Sequence, residues 1–332
     1  MIKDFPVGTE TRIKNLLDVD ALTTSDIEMI LDNSSAMLDV LSRDIKKVPI
    51  LRGKTIITLF YESSTRTRVS FEQAGKILSA DVINISANTS STKKGESLFD
   101  TALTIQAMKA DIVVIRHPHS GAPHFLARHL STSIINAGDG THAHPTQTLL
   151  DLFTIKKHLG QIENRKITII GDIRYSRVAR SNIWGLIKMG ATVTLCAPST
   201  LIQKKSFGPG PKSEAHPFNR VKIESDLTKA LKDADVVMPL RLQKERQSHG
   251  HLPTLREYSI RYGISSKKMN AANPHALVMH PGPMNEGIEI DPDVAHGHQS
   301  VIEDQVTNGV AVRMSLLHAI SSGSIKTLET SN

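Results

Sequence analysis

The stretch HPTQTLLDLFTIKKHLGQIENRKITIIG, residues 144–171, predicts a helix followed by a buried strand. Pro145 stands at the first helical position and Gly160 follows the last, which is the usual placement of these two residues at helix ends. Residues 166–171 then form a short run with the β-branched character of a strand. Because strand-and-helix patterns recur on both sides, we interpret this helix as the link between two halves of the chain.

Short apolar runs of strand character occur in both halves. Continuous runs that alternate with helical patterns are typical of parallel strands covered on both faces. The sequence therefore predicts an α/β fold of two doubly wound parallel-sheet domains joined by the linking helix, with ligands at the carboxyl ends of the strands and in the cleft between the domains. The predicted strands are 55–60, 81–85, 111–115 and 133–136, then 166–171, 191–196, 235–238 and 276–279.

The remaining segments complete the predicted architecture. Ile302, Val306, Val310, Met314 and Leu317 keep helical spacing and predict a C-terminal amphipathic helix that packs back on the first domain. Residues 203–219, with a GPGP run, are expected to form a surface loop, and residues 240–262 a functional loop. The expected divisions are 1–148 and 149–300 for the two domains and 301–332 for the returning helix.

Composition narrows the class of protein. The 332 residues contain 40 Lys and Arg against 33 Asp and Glu, a net charge of +7 that suits acidic small molecules as well as nucleic acid. Aromatic residues make up only 4%, which argues against a stacking platform for nucleic acid. The single cysteine excludes an intrachain disulfide framework. We find no apolar leader and no run near the ~20 apolar residues of a membrane span, so we expect a cytoplasmic protein without nucleic-acid or membrane partners.

The segment FYESSTRTR, residues 60–68, carries the strongest chemical signal. It follows a predicted strand and opens a predicted helix, where free backbone N–H groups and the helix dipole favour an anion. Arg66 adds a fork of donors beside the hydroxyls of Ser64, Thr65 and Thr67, an arrangement suited to phosphate. Taken on these residues alone, a plain helix cap with surface arginines is the simpler interpretation.

Other candidate residues lie at predicted strand and helix ends. Arg116 directly follows a predicted strand, where a solvated cap is the commoner role. His144 and Gln147 are three apart at the start of the linking helix, so they share a face and could hold a carbonyl oxygen and an amino group. His142 with His144 would be an alternative metal pair, but no matching ligand set follows at later strand ends, and no metal is expected. Residues 170–177 lack the G-x-G-x-x-G glycines, so NAD is not expected either.

Several separated motifs give the chain a family resemblance. Residues 60–68 match the F-x-E-x-S-T-R-T-R carbamoyl-phosphate motif of the carbamoyltransferases, and residues 241–246 (RLQKER) resemble the R-x-Q-x-E-R loop of the aspartate carbamoyltransferases. The ornithine-type H-C-L-P segment is absent, with HPGP at 280–283 instead. The resemblance runs from about Arg12 to His318 and implies a catalytic chain that transfers a carbamoyl group to L-aspartate in pyrimidine synthesis.

The resemblance also implies a set of site residues, no cofactor, and a homotrimer whose active sites are shared between subunits. It places Glu62 in an ion-pair bridge with Arg177 and Arg246, and it leaves regulatory or dihydroorotase-like partner chains open. Lys93 receives no role. The implied catalytic residues are Arg66, Thr67, Lys94, Arg116 and His144. The implied carbamoyl-phosphate site is Ser64, Thr65, Arg66, Thr67, Ser90, Arg116, His144, Gln147, Pro281, Gly282 and Pro283, and the implied aspartate site is Lys94, Arg177, Arg241 and Gln243.

Three other interpretations remain open on the sequence. A carbamoyltransferase acting on ornithine or a modified amino acid would show itself in an assay with both acceptors. A basic nucleic-acid-binding protein would bind random duplexes with an affinity that falls steeply with salt. A catalytically silent member of the fold would show no turnover.

Overall fold

The computed structural model describes residues 13–86, 96–202, 216–243 and 254–329, with side chains up to residue 322. The strands in these ranges are β1 (Thr55–Phe60), β2 (Asp81–Ser86), β3 (Ile112–His117), β4 (Ser133–Asp139), β5 (Lys166–Ile170), β6 (Thr192–Cys196), β7 (Lys222–Glu224), β8 (Val236–Pro239) and β9 (Leu277–Val278). The helices are α1 (Thr24–Leu41), α2 (Thr65–Ile77), α3 (Leu98–Ala107), α4 (Ala122–His129), α5 (Pro145–Leu159), α6 (Arg177–Lys188), α7 (Leu227–Leu231), α8 (Leu255–Tyr262), α9 (Ser266–Met269), α10 (Pro292–Ala295) and α11 (Ile302–Glu329).

The strands form two parallel sheets. The first has the order β2-β1-β3-β4 and the second β7-β6-β5-β8-β9, so each sheet grows outward in both directions from its first strand, β1 or β5. All of the strand pairs in both orders are parallel. Parallel strands need crossover connections, and helices supply them between all successive described strands except β6 and β7. The predicted α/β fold with two doubly wound sheets is confirmed.

Two helices tie the halves together. Helix α5 is buried from Pro145 to Ile155 and packs against α6, α11 and α1. Helix α11 also packs against α1 and α2 of the first half. The C-terminal helix therefore returns to the first domain as predicted, while the exact divisions at residues 148 and 300 stay predictions.

The structure corrects several predicted elements. Strand β2 is not buried on both faces, because it is the edge strand of its sheet and Ile83 is 50% exposed. The stretch 240–262 is not all loop: Thr254 caps α8 by accepting from the backbone N of Glu257, and Tyr258 on that helix is fully buried. Residues 203–215 and 244–253 lie outside the described ranges.

The structure differs from the prediction in two further places, one short strand and one exposed apolar residue. Strand β7 was not predicted, because its three residues are too few to show a pattern. In α11, Val306 is 46% exposed although it keeps the apolar spacing, and it lines the cleft described below. In the described parts of the chain, we find no helix that is both long enough and apolar enough to cross a bilayer.

Candidate active site

A cleft of about 1210 Å³ lies where the carboxyl ends of both sheets meet α5 and α11. It exceeds the roughly 300–1,000 Å³ of a pocket for one drug-sized ligand, so it has room for two small substrates together. Its walls carry most of the predicted site residues: Ser64, Thr65, Arg66, Thr67, Arg116, His144, Gln147, Arg177, Arg241, Gln243, Pro281, Gly282 and Pro283. Tertiary structure thus brings together residues that are up to 219 positions apart.

The predicted phosphate-binding turn lies at the start of α2. Ser64 is the N-cap residue, and its side chain accepts from the backbone N of Thr67 over 3.4 Å. The sequence predicted free backbone N–H groups at this helix start, and for the N–H of Thr67 that prediction is wrong. The remaining first-turn N–H groups still face the cleft end of the helix, where the dipole favours an anion.

Arg66 connects this turn to the opposite wall. Its Nη1 donates to the carbonyl oxygen of Pro281 over 2.8 Å. Gly282 has φ +62°, and its missing Cβ leaves the space that the Arg66 guanidinium fills. Pro281 belongs to the implied carbamoyl-phosphate site, and here its carbonyl already accepts from Arg66. A bulkier residue at position 282 would require the Arg66 side chain to rotate.

Glu62 holds two arginines at the centre of the cleft. Its Oε1 accepts from Nη2 of Arg116 over 2.9 Å and from Nη2 of Arg177 over 3.0 Å, and its Oε2 accepts from Nη1 of Arg177 over 3.0 Å. Planar guanidinium groups pair in this forked way with carboxylates. The implied pairing with Arg177 is observed, the pairing with Arg116 was not foreseen, and Arg246 lies outside the described residues.

Arg116 does not follow its strand, as the sequence suggested, but lies inside it. It pairs in register with Phe60, because β3 continues alongside β1 to His117. Its Nη1 donates to the carbonyl oxygen of Ala137 on the neighbouring strand over 3.2 Å. This bond and the one to Glu62 fix the guanidinium at the carboxyl edge of the sheet.

His144 caps the linking helix and faces the cleft. Its backbone N donates to Oγ of Ser181 over 2.9 Å, and its side chain is nearly buried. His142 turns away from the cleft and contacts Asp139 instead. The alternative metal pair of His142 with His144 is therefore not assembled.

The amide of Gln147 has a fixed orientation. Its Nε2 donates to Oδ1 of Asp151 one turn further along α5, over 3.0 Å. Because Nε2 donates to this carboxylate, the carbonyl Oε1 is the atom of the amide available to a ligand in the cleft. Gln147 therefore presents an acceptor, which matches a ligand amino group.

Asp151 is a residue that the sequence reasoning missed. It is fully buried, and its carboxylate also accepts from Nε2 of Gln305 over 2.7 Å and from Nδ2 of Asn182 over 2.9 Å. Gln305 in turn accepts from the backbone N of His280, beside the HPGP segment. One buried carboxylate thus joins α5, α6, α11 and the 280–283 loop. The signal in the sequence was an acidic residue four positions after Gln147, placed between the apolar Leu150 and Leu152.

Asp151 gives the fold a pH dependence. Burial raises the pKa of this carboxyl to about 6 from 3.8, against amide hydrogen bonds that lower it. Its contribution to folding is therefore present below pH 4 and lost as pH rises through 6. We expect Asp151→Asn to gain stability relative to the parent chain between pH 4 and 7, by up to about 3 kcal/mol.

Urea unfolding of both chains at several pH values measures this difference. The amide of the variant can keep the bonds from Gln147 and Gln305. Asn182 can turn its Oδ1, which has no partner among the described residues, toward the new donor. A stability difference that stays constant across this pH range would contradict the assignment.

The wall formed by the second half carries the remaining predicted residues. Gln243 donates its backbone N to Oδ2 of Asp172 over 3.1 Å, and Oδ1 of Asp172 accepts from the backbone N of Tyr175. Asp172 is fully buried, so it fixes the start of the RLQKER segment on the end of β5. Arg241 and Gln243 both line the cleft that also contains the turn at the start of α2, so they could contact a second ligand beside that turn.

The cleft is strongly electropositive. Among the described residues that line it, the one carboxylate is Glu62, and the arginines are Arg66, Arg116, Arg177, Arg241 and Arg313. Low-dielectric walls strengthen the field of such a set and favour anions. Arg313 is buried, which lowers its pKa to about 10, so it remains charged at neutral pH. Ser90, Lys93 and Lys94 lie outside the described residues.

These features define a two-domain α/β protein with an interdomain cleft for anionic substrates. Family models describe the chain in two parts: the carbamoyl-phosphate-binding domain of aspartate/ornithine carbamoyltransferases matches residues 14–157, and their aspartate/ornithine-binding domain matches residues 163–320. The chain belongs to the aspartate/ornithine carbamoyltransferase family. The family predicted from the motifs is confirmed.

Individual relatives indicate which type of carbamoyltransferase the chain resembles. The chain is 57% identical over 310 residues to an aspartate carbamoyltransferase catalytic subunit of Roseiflexus sp. (strain RS-1), covering 93% of this chain and 96% of that one. A second, from Dehalococcoides mccartyi (strain CBDB1), is 52% identical over 324 residues, covering 95% and 96%. Both relatives carry the aspartate-type name.

Solved structures share the fold across both types. Aspartate transcarbamoylase from Trypanosoma cruzi, in complex with carbamoyl phosphate and aspartate, is similar with a TM-score of 0.83, 29% identity and coverage of 92% and 96%. Ornithine carbamoyltransferase from Pyrococcus furiosus gives 0.82, 27%, 93% and 97%. The fold therefore does not separate the two acceptors, and the distinction depends on sequence and site.

Proposed function

We propose that this chain transfers the carbamoyl group of carbamoyl phosphate to the α-amine of L-aspartate, giving N-carbamoyl-L-aspartate and phosphate for pyrimidine synthesis. The observation that carries the proposal is one continuous cleft. It joins the helix-terminal turn with Arg66 to the wall with Arg241 and Gln243. Five arginines facing one carboxylate can offset the mutual repulsion of two anionic substrates.

Carbamoyl phosphate is assigned to the α2 end of the cleft. Ser64, Thr65, Arg66 and Thr67 hold the phosphate, together with Arg116 from the neighbouring strand. Oε1 of Gln147 accepts from the carbamoyl amino group, because its own amino end is bound to Asp151. The Pro281, Gly282 and Pro283 segment closes this end of the site beside Arg66.

Aspartate is assigned to the opposite end. Arg177 and Arg241 bind its two carboxylates, and Gln243 orients it through a segment anchored on Asp172. Since Arg177 pairs with Glu62, an incoming carboxylate would share that guanidinium with Glu62. Closure of the two domains would bring the amine to the carbamoyl carbon.

The chemistry needs donors and contact geometry. The neutral amine attacks the carbamoyl carbon, a C–N bond forms, and the bond from carbon to the phosphate oxygen breaks. Negative charge that builds on the carbonyl oxygen is stabilised by Thr67, Arg116 and His144. The departing phosphate takes the proton that the amine loses, so no protein group has to act as a base and no cofactor is required.

A direct assay tests the activity. The purified full-length chain should form N-carbamoyl-L-aspartate and phosphate from the two substrates, and it should form little citrulline when ornithine replaces aspartate. Product with ornithine alone would favour the other acceptor type. Absence of turnover with both acceptors would favour a silent member of the family.

Arg241 tests the choice of acceptor. We expect Arg241→Ala to raise the KM for aspartate by about 10- to 100-fold, because an Arg–carboxylate pair of roughly 1.5–3 kcal/mol is lost. Binding of carbamoyl phosphate, measured by calorimetry without aspartate, should change by less than threefold. An equal loss for both ligands would refute the assignment. Arg256→Ala, a change on the exposed start of α8, is the matched control.

A homotrimer with shared sites is part of the proposal, with cytoplasmic location as the expectation. Lys94 and Ser90 would enter the site of a neighbouring subunit. If so, mixed Lys94→Ala and Arg66→Ala chains should regain activity, because a hybrid trimer contains a site with neither substitution. Up to about one third of the parent activity is expected if one site in three is intact. Continued inactivity after proven subunit exchange would exclude sharing.

A further inference from the structure

Behind the wall of the cleft, three side chains bring metal-ligating atoms together. His124 lies on α4, Asp139 is the last residue of β4, and His142 lies in the turn that follows. A ring nitrogen of each histidine and a carboxylate oxygen of Asp139 all lie within 4.8 Å of one another. The two histidines and this aspartate have no part in the proposed binding of either substrate.

We propose that His124, Asp139 and His142 bind one divalent transition-metal ion, with Zn²⁺ as the best fit. Imidazole nitrogen and carboxylate oxygen are both zinc ligands at about 2.0–2.2 Å, which places neighbouring ligand atoms of a tetrahedron about 3.3 Å apart. Nδ1 of His142 already lies 3.1 Å and 3.3 Å from the two oxygens of Asp139. Rotation of the His124 side chain would complete three ligands, and water would take the fourth position.

His124 supplies an independent indication. Its Nδ1 is buried, and no hydrogen-bond partner for it is found among the described residues. The ring packs edge-on to His142, with centroids 5.4 Å apart. A buried polar atom without a partner costs free energy, so such atoms are rare in folded chains. Coordination of an ion, reached by a small rotation of the ring, would remove this cost.

The surroundings of the other two ligands fit a metal site as well. Oδ2 of Asp18 lies 3.7 Å from Nε2 of His142, the nitrogen that faces away from Asp139. A carboxylate beside the free nitrogen of a ligating histidine fixes its tautomer and orientation. Asp139 is held in place by donors from Asn136 and from the backbone of Gly121 and Ala143.

The charges around the group favour a cation. The carboxylates that act on it are Asp18, Asp20 and Asp139, and the facing cations are Arg128 and Arg180. Without counting the histidines, the balance is one negative charge. A bound divalent ion would therefore enter a group whose fixed charges are negative overall, and it would change the balance to one positive charge.

A metal ion bound to these three residues would stabilise one wall of the cleft. It would join α4, the end of β4 and the turn that carries Gly140 and Thr141, two residues that line the cleft. The carbonyl oxygen of Gly140 accepts from Nη1 of Arg177 over 3.2 Å, so the turn also holds an arginine of the site. The inferred role is structural, and it does not depend on the proposed carbamoyl transfer.

Metal titration of the full chain tests the site. After treatment with a chelator, calorimetry with Zn²⁺ should show one ion per chain, and Co²⁺ should give the intense visible bands of tetrahedral coordination. We expect His124→Ala and His142→Ala each to weaken Zn²⁺ binding by about tenfold or more and to abolish the Co²⁺ bands. His158→Ala, a change at a histidine paired with Asp304, is the matched control and should bind as the parent does.

One further variant distinguishes the loss of a metal ligand from a folding defect. His124→Cys replaces one zinc ligand by another, so it should keep Zn²⁺ binding and add a thiolate-to-Co²⁺ band in the near ultraviolet. The proposal is overturned if the parent chain takes up no Zn²⁺ at about 100 µM. It is equally overturned if the parent and both alanine variants bind with the same stoichiometry and affinity, since the ion would then be elsewhere.

Discussion

Glu62→Ala is expected to lower kcat/KM for aspartate by about 10- to 100-fold and the free energy of unfolding by about 2–4 kcal/mol. Removing this carboxylate leaves Arg116 and Arg177 without the oxygen atoms that accept from both. Arg177 is only 4% exposed, so its charge has little water to replace the lost partner. Since Glu62 itself is about a quarter exposed, the loss should lie at the lower end for a broken buried ion pair.

The physical cause can be isolated by adding an anion. If the two guanidinium groups are left unneutralised, phosphate should raise the melting temperature of Glu62→Ala by more than it raises that of the parent chain. Glu62→Gln keeps one acceptor oxygen and should give an intermediate loss. Glu72→Ala, a change at an exposed ion pair with Lys76, should leave both activity and stability nearly unchanged. A normal kcat/KM in Glu62→Ala would contradict the role of Glu62.

His144→Ala is expected to lower kcat by about 10²- to 10³-fold, the cost of losing one preorganised oxyanion donor of roughly 2.7–4 kcal/mol. The backbone N of His144, which donates to Ser181, remains in the variant, so the start of α5 should keep its place. The KM for carbamoyl phosphate should change by less than tenfold, because the donor acts mainly in the transition state.

A surface histidine gives the control for this prediction. His296→Ala removes an exposed ring that contacts Glu286, and it should keep the parent kcat. A His144→Ala enzyme with kcat within threefold of the parent would remove His144 from the catalytic set. A rise in KM with unchanged kcat would instead assign it to ground-state binding.

Local signals in the sequence predicted much of the fold. Eight of the nine described strands, the linking helix and the returning helix were predicted from apolar periodicity and from helix-end residues such as Pro145 and Gly160, which act over a few positions. Burial was harder to predict, since Ile83 and Val306 have apolar side chains yet lie exposed. Edge position and facing elements decide burial, and both are properties of the assembled sheet.

In the candidate site, too, short local motifs were predicted from the sequence, whereas contacts between distant segments were not. FYESSTRTR and RLQKER identified the family and two ends of the cleft because each motif lies in one short segment. Asp151, Asp172 and the pairing of Glu62 with Arg116 gave no comparable signal, because the partners that join them to other elements lie between 31 and 154 positions away along the chain.

By itself the sequence determined the order of the elements, the family and the residue types available for binding two anions, because these follow from spacing and side-chain chemistry. Only the tertiary structure decided which arginines share Glu62, which way the Gln147 amide faces, and that His142 turns from His144 toward His124 and Asp139. The physical reason is that directional hydrogen bonds and ion pairs depend on distances of a few ångströms, which are set when separate elements pack together.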